Sequence, residues 1–530
     1  MHFKIENYKI FIFDAYQQRE RLKAIGARWS KRRRAWWLSH DLDSVEALRQ
    51  AVGLKVPAPS LPRPARPVPA ITPEATGLII QGLYTHQKTS VAVARGLPFF
   101  ADFSEPGTGK TLVQIELMLE RDEWPVLVVC PKSITHAVWR QQLLGTGYFR
   151  PPNVHVLEGG SEKVSRQLRT LPSAGRRVVI INYEMVPRVI DELLEVPWAA
   201  VVLDESTRIK NPNAKRSKAV MRLRDHVSWR AIMTGTPAPN GLLDIFNQVR
   251  FLDPRLFGES WYAFRQRYME QKPWDAFNWY PRPGAFQVIR TRLAPFSVAH
   301  KKRECVDLPP LVHEERLVDM TAAQARAYRQ MRDELLLELE EQTIVAPFTI
   351  TKLMKLRQLA NGFAYDTSTG EALHVGSNKP AELLDLLDEL DDEQVIVFTH
   401  FQHTGRLLHD IFQQKDVKHV WVTADTKDKQ AEVKKFESGD VRVLLANTAI
   451  MAHGWNLQFC SNVVFYEHDF ALENYEQAVQ RIERIGQRNK MTVYHLLTAG
   501  TLEPKILERL QKKIDLNRQL DVSAVREMLK

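Results

Sequence analysis

The sequence predicts an α/β protein with two lobes, each built on a parallel sheet, a helical insertion between the lobes and a small N-terminal α+β domain. After about residue 76, short apolar runs rich in β-branched residues alternate with polar helical segments. This pattern is typical of parallel strands that are buried on both faces. The runs form one group before about residue 235 and another after about residue 394, which predicts two separate sheets.

Composition limits the class of protein. The chain has 530 residues, of which 44% are hydrophobic and 26% charged, as in ordinary globular proteins. The net charge of +10 favours a polyanionic partner, nucleic acid before membrane. No segment has the pattern of a signal peptide or a membrane span, so we expect a cytoplasmic protein, or a nuclear one in a eukaryote, that is neither secreted nor membrane-bound.

The cysteines Cys130, Cys305 and Cys460 are odd in number and far apart, which argues against a disulfide framework and against a zinc ribbon. The histidines show no spacing typical of zinc ligands, so we expect no zinc site. A reducing compartment fits this cysteine usage best.

Residues 1–55 are predicted to form a separate small domain with helices over Gln18–Ile25 and Leu42–Val52. Between these helices lie base-stacking and phosphate-neutralising side chains, namely Trp29, Lys31–Arg34, Trp36 and Trp37. We expect the tryptophans to lie mostly in the core of the domain and the basic turn to contact DNA.

Residues 56–75 are predicted to be a semi-rigid linker, because seven prolines occur in the 17 positions from Pro57 to Pro73. Beyond it we expect a first lobe over 76–250, a helical insertion over 251–375, a second lobe over 376–505 and a helical tail over 506–530. The predicted strands are Val126–Val129, Val178–Ile181, Ala199–Leu203, Val395–Phe398, Val441–Leu445, Val463–Tyr466 and Val493–Leu497. The insertion is predicted to be helical over Ala322–Glu341 and Ile350–Leu359.

A phosphate-binding turn is predicted in the sequence SEPGTGKT at positions 104–111, which precedes an amphipathic helix over Leu112–Glu120. In such a turn, backbone amides approach a phosphate and the helix N-terminus favours the anion. We expect Gly107, Thr108 and Gly109 to surround the phosphates. Lys110 would reach the β- and γ-phosphates, and the Thr111 hydroxyl would hold Mg²⁺.

A second candidate site is acidic. It consists of Asp204 and Glu205, which directly follow the apolar strand Ala199–Leu203. A carboxylate at a strand end can hold Mg²⁺, and a neighbouring one can orient and deprotonate the attacking water. We therefore assign metal binding to Asp204 and the role of general base to Glu205.

A third site lies near the C-terminus in the sequence QAVQRIERIGQ at positions 477–487. A helix from about Asn474 would place Gln477, Arg481 and Arg484 on one face, since they are spaced by four and three residues. Two guanidinium groups on one face suit a triphosphate presented from another lobe.

These sites occur in an order that resembles the superfamily-two helicase ATPases, and within them the Swi/Snf family of double-stranded DNA translocases. The blocks that carry the resemblance are LYTHQ at 83–87, SEPGTGKT at 104–111, VCPK at 129–132, LDEST at 203–207, MTGTPAPN at 233–240, VIVFTHF at 395–401, NTAIMAHGWNL at 447–457 and QAVQRIERIGQ at 477–487. The match covers roughly residues 76–505. Departures from the family pattern occur at Ser104, at Thr207 and at 451–453.

The resemblance implies two RecA-like lobes that bind ATP and Mg²⁺, with Gln87 reading adenine and Gly454 belonging to the nucleotide site. It implies backbone contacts to duplex or branched DNA, for which Lys132, Lys210, Asn240 and Thr448 are the candidates. Residues 1–55 loosely resemble the HepA-related (HARP) domain of annealing helicases. Since both halves of the ATP site belong to one chain, we expect a monomer.

The function we expect is that of a DNA-dependent ATPase that couples hydrolysis to movement along double-stranded DNA, to remodelling of replication, repair or recombination substrates, or to displacement of proteins. Two alternatives remain open from the sequence. One is a strand-separating DNA or RNA helicase, and the other is a nucleotide-gated clamp on DNA.

Overall fold

The computed structural model describes residues 1–61, 77–172, 175–273, 275–305, 308–340, 346–366, 369–448, 455, 457–470, 472–484 and 487–512. The chain divides into two compact units, Met1–Cys305 and Val306–Lys530. This division falls inside the segment expected to be the helical insertion, so that residues 251–305 belong to the first unit and residues 306–375 to the second. Most of the expected linker (62–75), most of the expected tail and Gly454 lie outside the described residues.

The first unit begins with a four-stranded antiparallel sheet of order β1-β2-β4-β3. Two helices pack on it, and the elements are β1 (His2–Glu6), β2 (Lys9–Phe13), α1 (Arg19–Ala24), β3 (Arg28–Ser30), β4 (Ala35–Ser39) and α2 (Leu42–Val52). Asp41 caps α2 by accepting hydrogen bonds from the backbone amides of Asp43 and Ser44, at 3.1 and 2.9 Å. Ile10, Ile12 and Leu48 are fully buried in the core of this small domain.

A seven-stranded parallel sheet of order β13-β5-β10-β9-β6-β8-β7 forms the main body of the first unit. Its strands are β5 (Phe99–Asp102), β6 (Val126–Cys130), β7 (Val154–Val156), β8 (Val178–Asn182), β9 (Ala200–Asp204), β10 (Trp229–Met233) and β13 (Ser297–Val298). Apolar clusters cover both faces of the sheet, as expected for apolar strand runs without alternation.

Helices surround this sheet, and a two-stranded ribbon follows it. The helices are α3 (Thr85–Ala94), α4 (Lys110–Arg121), α5 (Gln141–Gly145), α6 (Ser161–Arg169), α7 (Ile190–Glu195), α8 (Lys215–Arg224), α9 (Asp244–Leu252), α10 (Trp261–Tyr268), α11 (Ala285–Leu293) and α12 (Lys302–Cys305). The ribbon is β11 (Met269–Lys272) paired with β12 (Asp275–Pro281). Phe257, Phe264 and Phe296 join the core below the sheet, so this segment packs as part of the lobe.

The second unit contains a six-stranded parallel sheet of order β14-β21-β20-β17-β19-β18. Its strands are β14 (Leu311–Val318), β17 (Val395–Thr399), β18 (His419–Val422), β19 (Val443–Asn447), β20 (Asn462–Phe465) and β21 (Met491–Thr498), and a small ribbon pairs β15 (Phe363–Tyr365) with β16 (Ala372–His374). The helices are α13 (Ala322–Glu340), α14 (Ala346–Ala360), α15 (Lys379–Glu389), α16 (Gln402–Gln414), α17 (Lys429–Glu437), α18 (Leu472–Val479) and α19 (Glu503–Gln511).

A fully buried ion pair ties α15 to α19 in the second unit. Lys379 Nζ donates to Glu503 Oε2 at 2.6 Å and to Oε1 at 2.9 Å, and the lysine is 0% exposed. The same ammonium donates to Asn361 Oδ1 and to the carbonyl of Tyr466, each at 3.0 Å. The N–H groups of the buried ammonium therefore all have oxygen acceptors, as burial of an ion requires.

The predicted fold class is confirmed, because the two groups of apolar runs form two parallel sheets. The predicted strands agree with the observed ones to within about two residues at each end. The helix predicted over Leu42–Val52 has these bounds in the structure. Within the described residues, none of the helices is both long and apolar enough to cross a membrane.

Candidate nucleotide-binding site

Three neighbouring strands of the first unit end at the same edge of the sheet. Met233 at the end of β10 pairs with Asp102 at the end of β5 on one side and with Asp204 at the end of β9 on the other. Ligands of open parallel sheets bind outside the carboxyl ends of the strands. The tertiary structure thus brings the glycine-rich turn, the acidic pair and the sequence TGTPAPN to one edge.

The glycine-rich turn connects β5 to α4. Gly107 and Gly109 have φ values of +84° and +80°, a backbone region that favours glycine. The Lys110 ammonium donates to the carbonyl oxygens of Ser104 and Glu105, at 2.7 and 3.2 Å, so it lies over the turn. At Ser104, where the family pattern has glycine, the backbone amide donates to Asp102 Oδ1 at 3.0 Å and the hydroxyl accepts from the His300 amide at 3.2 Å.

The helix α3 borders the same turn. Gln87 is 1% exposed; its Nε2 donates to the Thr108 carbonyl at 3.0 Å, and its Oε1 accepts from the Tyr84 amide at 2.9 Å. The His86 ring contacts the Thr108 carbonyl at 2.8 Å. A Cβ at Gly109 would lie 2.1 Å from Gln87 Nε2, so only glycine allows this approach. Gln87 therefore lies beside the glycine-rich turn.

Asp204 is buried and held by three groups. Its Oδ2 accepts from the indole Nε1 of Trp139 at 2.8 Å, and its Oδ1 accepts from the Glu205 amide at 2.9 Å. The Tyr183 hydroxyl donates to the Asp204 carbonyl at 2.9 Å. Burial, followed by the charge of Glu205, raises the pKa of the Asp204 carboxyl to about 7, against the opposing effects of Trp139 and Lys110.

Burial disfavours the ionised form of this carboxyl group, and a bound divalent cation would stabilise that form. A buried carboxylate with a raised pKa beside a lysine is therefore suited to bind such a cation. Thr111 is the second residue of α4 and 8% exposed, at the N-terminus of the helix that the turn introduces. The residues present therefore fit a Mg²⁺–phosphate group. Asp204 and Thr111 would hold the metal, and Lys110 would hold the phosphates.

Glu205 has φ of +51°, in the left-handed region that is unusual for a non-glycine residue. Its Oε2 accepts from the Thr234 hydroxyl at 3.3 Å. The conformation turns the chain sharply at the end of β9. Such backbone strain often occurs at functional positions.

The loop after β10 is linked to both acidic and glycine-rich segments. A Cβ at Gly235 would lie 2.3 Å from Pro106 Cδ, so the two loops are in close contact. The side chain of Gln248 on α9 is fully buried. Its Oε1 accepts from the Ser206 hydroxyl at 2.7 Å, and its Nε2 donates to the Pro237 carbonyl at 2.6 Å. Gln248 thus joins the residue after Glu205 to the TGTPAPN loop.

In the second unit, the helix expected to carry Gln477, Arg481 and Arg484 on one face is shorter than predicted. It ends at Val479, and the chain continues in turns in which the Arg481 amide bonds to Ala478. Only Gln477 of the three lies on the helix, and beyond the helix the Arg481 carbonyl accepts from the Leu457 amide at 3.3 Å.

Arg484 follows this helix and is half-buried. Its Nε donates to the Gln480 carbonyl at 3.1 Å, and burial lowers the pKa of its guanidinium to about 10. The side chain therefore remains charged at neutral pH.

The expected DNA contacts have different surroundings. Lys210 Nζ lies 4.0 Å from Asp244 Oδ2, and the Asn240 amide donates to the same carboxylate at 2.7 Å. Lys132 begins a turn after β6. Thr448 is only 4% exposed, so its side chain is not on the surface, contrary to the expected contact with a DNA backbone.

The tryptophans of the small domain divide between core and surface. Trp36 is 9% exposed and part of the core, whereas Trp29 is 49% exposed and Trp37 is half-buried. The expectation that they lie mostly in the core is therefore correct only for Trp36. The residues Lys31–Arg34 form an exposed turn between β3 and β4, as expected.

Sequence reasoning missed two residues of this site, Trp139 and Gln248. Trp139 lies in a turn of π-helix, Thr135–Arg140, which turns its side chain into the core. It is 65 positions from Asp204, and no local pattern connects them. Gln248 interrupts the apolar side of α9, and a buried polar residue at such a position was the available signal.

Comparison with known proteins gives concordant matches. The SNF2-related domain family matches residues 99–363, half of the chain, and the helicase conserved C-terminal domain family matches residues 378–486. Protein p41 of Acyrthosiphon pisum secondary endosymbiont phage 1 is 26% identical over 77% of this chain and 90% of its own length. The ISWI chromatin-remodeling complex ATPase ISW2 of Saccharomyces cerevisiae is 28% identical over 78% of this chain, which spans only 38% of that protein. A solved structure, the Sulfolobus solfataricus SWI2/SNF2 ATPase core in complex with dsDNA, is 22% identical with a TM-score of 0.38, over 85% of this chain and 97% of its own.

Proposed function

Because this chain belongs to the SNF2-related family of helicase-like ATPases, we propose that it hydrolyses ATP in a DNA-dependent way and uses the energy to move along double-stranded DNA. The observation that carries the proposal is the convergence of Lys110, Asp204, Glu205 and the TGTPAPN loop at one sheet edge. Hydrolysis needs a phosphate cradle, a metal ligand and a base, and coupling needs a loop that links them to a polymer track.

In this proposal, Lys110 binds the β- and γ-phosphates and Glu205 orients and deprotonates the attacking water. Thr234 holds the Glu205 carboxylate through its hydroxyl, 3.3 Å away. Mg²⁺ supplies charge neutralisation on the phosphates when it is bound. Gln87 reads adenine beside the turn, and Gln477, Arg481 and Arg484 are assigned to the triphosphate as residues of the second unit, with Arg484 charged at neutral pH.

We propose duplex DNA as the track, held by its backbone and therefore without sequence preference. Three findings support this partner. The chain carries a net charge of +10, Lys210 lies five positions after Glu205 while Asn240 ends the TGTPAPN segment, and the small N-terminal domain exposes a basic turn. Branched DNA in replication, repair or recombination is the substrate to which that small domain would direct the ATPase. We also propose that the protein acts as a monomer, because both halves of the proposed ATP site belong to one chain.

The experiment that tests the proposal is the steady-state ATPase rate without nucleic acid and with single-stranded DNA, blunt duplex, forked duplex or RNA at fixed salt. Strong stimulation by blunt duplex is expected for a translocase. Stimulation only by single strands or RNA would replace the proposal with a strand-separating helicase. Absence of stimulation by any of them would leave a nucleotide-gated clamp.

Substitutions at this site test whether it produces the measured ATPase rate. Glu205→Gln should retain ATP binding and lose turnover by about 10²-fold or more, as expected for a positioned base. Lys110→Ala should lose binding as well. Glu123→Gln is the matched control, because this exposed carboxylate lies before β6 at the opposite edge of the sheet, where its Oε2 accepts from Ser228 at 3.1 Å.

A further inference from the structure

A groove in the first unit lies between the small N-terminal sheet and the loops that follow β9 and β10. It has a volume of about 640 Å³, within the range of ligand-binding clefts. Arg28 and Trp37 line one wall, and Lys210, Asn240 and Tyr262 line the other. The groove is therefore built jointly by the small domain and by the ATPase lobe.

One face of the small sheet presents alternating cations and aromatic rings toward this side. Trp37 on β4 pairs directly with Arg28 on β3 and with Phe11 on β2, so the three side chains share one face. Lys9 Nζ lies 4.6 Å from the centre of the Trp37 ring, and the Arg33 guanidinium lies 5.0 Å from that of Phe11. The opposite face carries Ile10, Ile12 and Trp36 of the core.

This face continues onto the lobe through Arg28 and Tyr262. The guanidinium of Arg28 lies 5.6 Å from the centre of the Tyr262 ring, and Tyr262 is 57% exposed. Among the described residues, no carboxylate lies within ion-pair distance of Arg28. A half-exposed ring can stack on a base, and a neighbouring cation can hold the phosphate of the same nucleotide.

The small domain is fixed against the lobe rather than tethered to it. Asp43 accepts two hydrogen bonds from Arg292, at 2.6 and 2.8 Å, and one from the Tyr268 hydroxyl at 2.9 Å. Arg267 bonds to Asp43 at 3.1 Å, and the Ser39 hydroxyl accepts from the Glu259 amide at 2.9 Å. Direct hydrogen bonds and ion pairs therefore hold the two walls of the groove together.

The two carboxylates in the groove are neutralised by neighbours. Glu259 binds Arg250 at 2.5 Å and Arg224 at 2.9 Å. Asp244 lies 4.0 Å from the Lys210 ammonium and accepts from the backbone amide of Asn240 at 2.7 Å. Among the described lining residues, Arg28 is therefore the cation that these carboxylates leave uncompensated, which favours an anionic ligand.

We propose that this groove binds an unpaired DNA strand, with a base stacked on Tyr262 and Trp37 and a phosphate held by Arg28. Paired bases present only their edges, whereas an unpaired base offers the face that exposed rings require. The proposal rests on the proposed function, since it supplies the element by which a duplex-bound ATPase would engage the single-stranded arm of a fork.

The test compares the double variant Arg28→Ala/Tyr262→Ala with Tyr16→Ala/Arg19→Ala in the full-length protein. The control pair lies on the same domain, where the Arg19 guanidinium lies 4.8 Å from the Tyr16 ring centre, Tyr16 is 76% exposed and neither residue lines the groove. Binding of a fluorescent single-stranded DNA oligonucleotide and of a blunt duplex is measured by anisotropy at fixed salt. Thermal melting checks that each variant is folded.

We expect the groove variant to bind the single strand about 10-fold or more weakly, since stacking on one ring contributes roughly 1–3 kcal/mol per base. The control variant should bind as the wild type does. Equal binding by the groove variant, no binding of a single strand by the wild type, or an equal loss for blunt duplex would each overturn the proposal. These readouts need no hydrolysis, so failure of the proposed function appears separately, as an ATPase rate that duplex does not stimulate.

Discussion

The indole of Trp139 donates a hydrogen bond of 2.8 Å to the carboxylate of Asp204 across 65 positions of sequence. Both residues are buried, and Trp139 is 0% exposed. Burial raises the pKa of Asp204 to about 7, and the indole acts in the opposite direction by stabilising the ionised form. Trp139 is thus a positioning residue for the ionised state of the proposed metal ligand.

Substitution of Trp139 by Phe should weaken the proposed metal site while keeping most of the packing. A hydrogen bond to a charged group contributes roughly 1.5–3 kcal/mol, so we expect the Mg²⁺ concentration for half-maximal ATPase activity to rise by about 10-fold or more. The acid limb of the pH–rate profile should move to higher pH. Titration of activity with Mg²⁺ at several pH values measures both effects.

Trp124→Phe is the control for this variant, because the indole of Trp124 also donates to an aspartate, Asp122, at 2.8 Å but in an exposed position. It should leave the Mg²⁺ dependence unchanged. A Trp139→Phe enzyme with the wild-type Mg²⁺ dependence and pH profile would remove Trp139 from this role.

The raised pKa of Asp204 also predicts how stability depends on pH. The unfolded carboxyl has a pKa of about 3.9, and the folded one about 7, so the folded state binds the proton more tightly. Stability without nucleotide and metal should therefore fall as the pH rises between these values and level off above them. In Asp204→Asn this decline should be absent, and the melting temperature of the variant relative to wild type should rise across the same window.

Thermal unfolding at a series of pH values, with and without Mg²⁺, measures this difference. Asparagine Oδ1 can still accept from the Glu205 amide, but its Nδ2 cannot accept from the Trp139 indole as the aspartate Oδ2 does, and this cost is independent of pH. The prediction therefore concerns the slope alone. A difference in melting temperature that stays constant with pH would contradict it.

Gln248 and Gln114 should respond in opposite ways to replacement by Met. Gln248 joins Ser206 to Pro237, so its loss leaves a buried hydroxyl and a buried carbonyl without that partner. We expect a destabilisation of roughly 1–3 kcal/mol and a weaker stimulation of the ATPase by DNA. Urea unfolding and the stimulated rate are the measurements.

The side-chain amide of Gln114 is fully buried on α4, and neither its nitrogen nor its oxygen has a hydrogen-bond partner within the described part of the chain. Gln114→Met should therefore be neutral or stabilising, since a buried unpaired amide carries a cost. Equal destabilisation by the two substitutions would show that the Gln248 bonds have no special importance.

The ion pair of Lys379 and Glu503 predicts a non-additive pair of variants. Lys379→Met leaves a buried, uncompensated carboxylate and should destabilise the second unit by roughly 3–5 kcal/mol. The double variant Lys379→Met/Glu503→Leu removes both charges and should recover a large part of that loss. Guanidinium unfolding of the single and double variants gives the coupling energy.

The exposed pair of Lys435 and Glu432, 2.9 Å apart, is the control for the buried pair. Lys435→Met should change stability by less than about 1 kcal/mol, because water screens a surface ion pair. If the losses for Lys379→Met and Glu503→Leu simply add in the double variant, the two charges do not compensate each other.

Much of the first unit could be predicted because its signals are local. A glycine-rich turn before a helix and an apolar strand ending in Asp204 and Glu205 each depend on neighbouring residues, and the parallel sheet places their ends at one edge. The helix of Gln477 shows the limit of such reasoning. Spacing by four and three residues predicts one face, but a bond between Arg481 and the distant Leu457 accompanies the departure of the chain from the helix.

The sequence by itself determined the fold class, the order of the motifs along the chain and the residues of the glycine-rich turn. It could do so because hydrophobic periodicity, glycine conformation and strand-end carboxylates act over a few residues. Only the tertiary structure decided that Trp139 supports Asp204, that Gln248 joins two loops and that Arg28 faces Tyr262 across a groove. These pairs are far apart in sequence, and their contact depends on how whole elements pack, which no local pattern encodes.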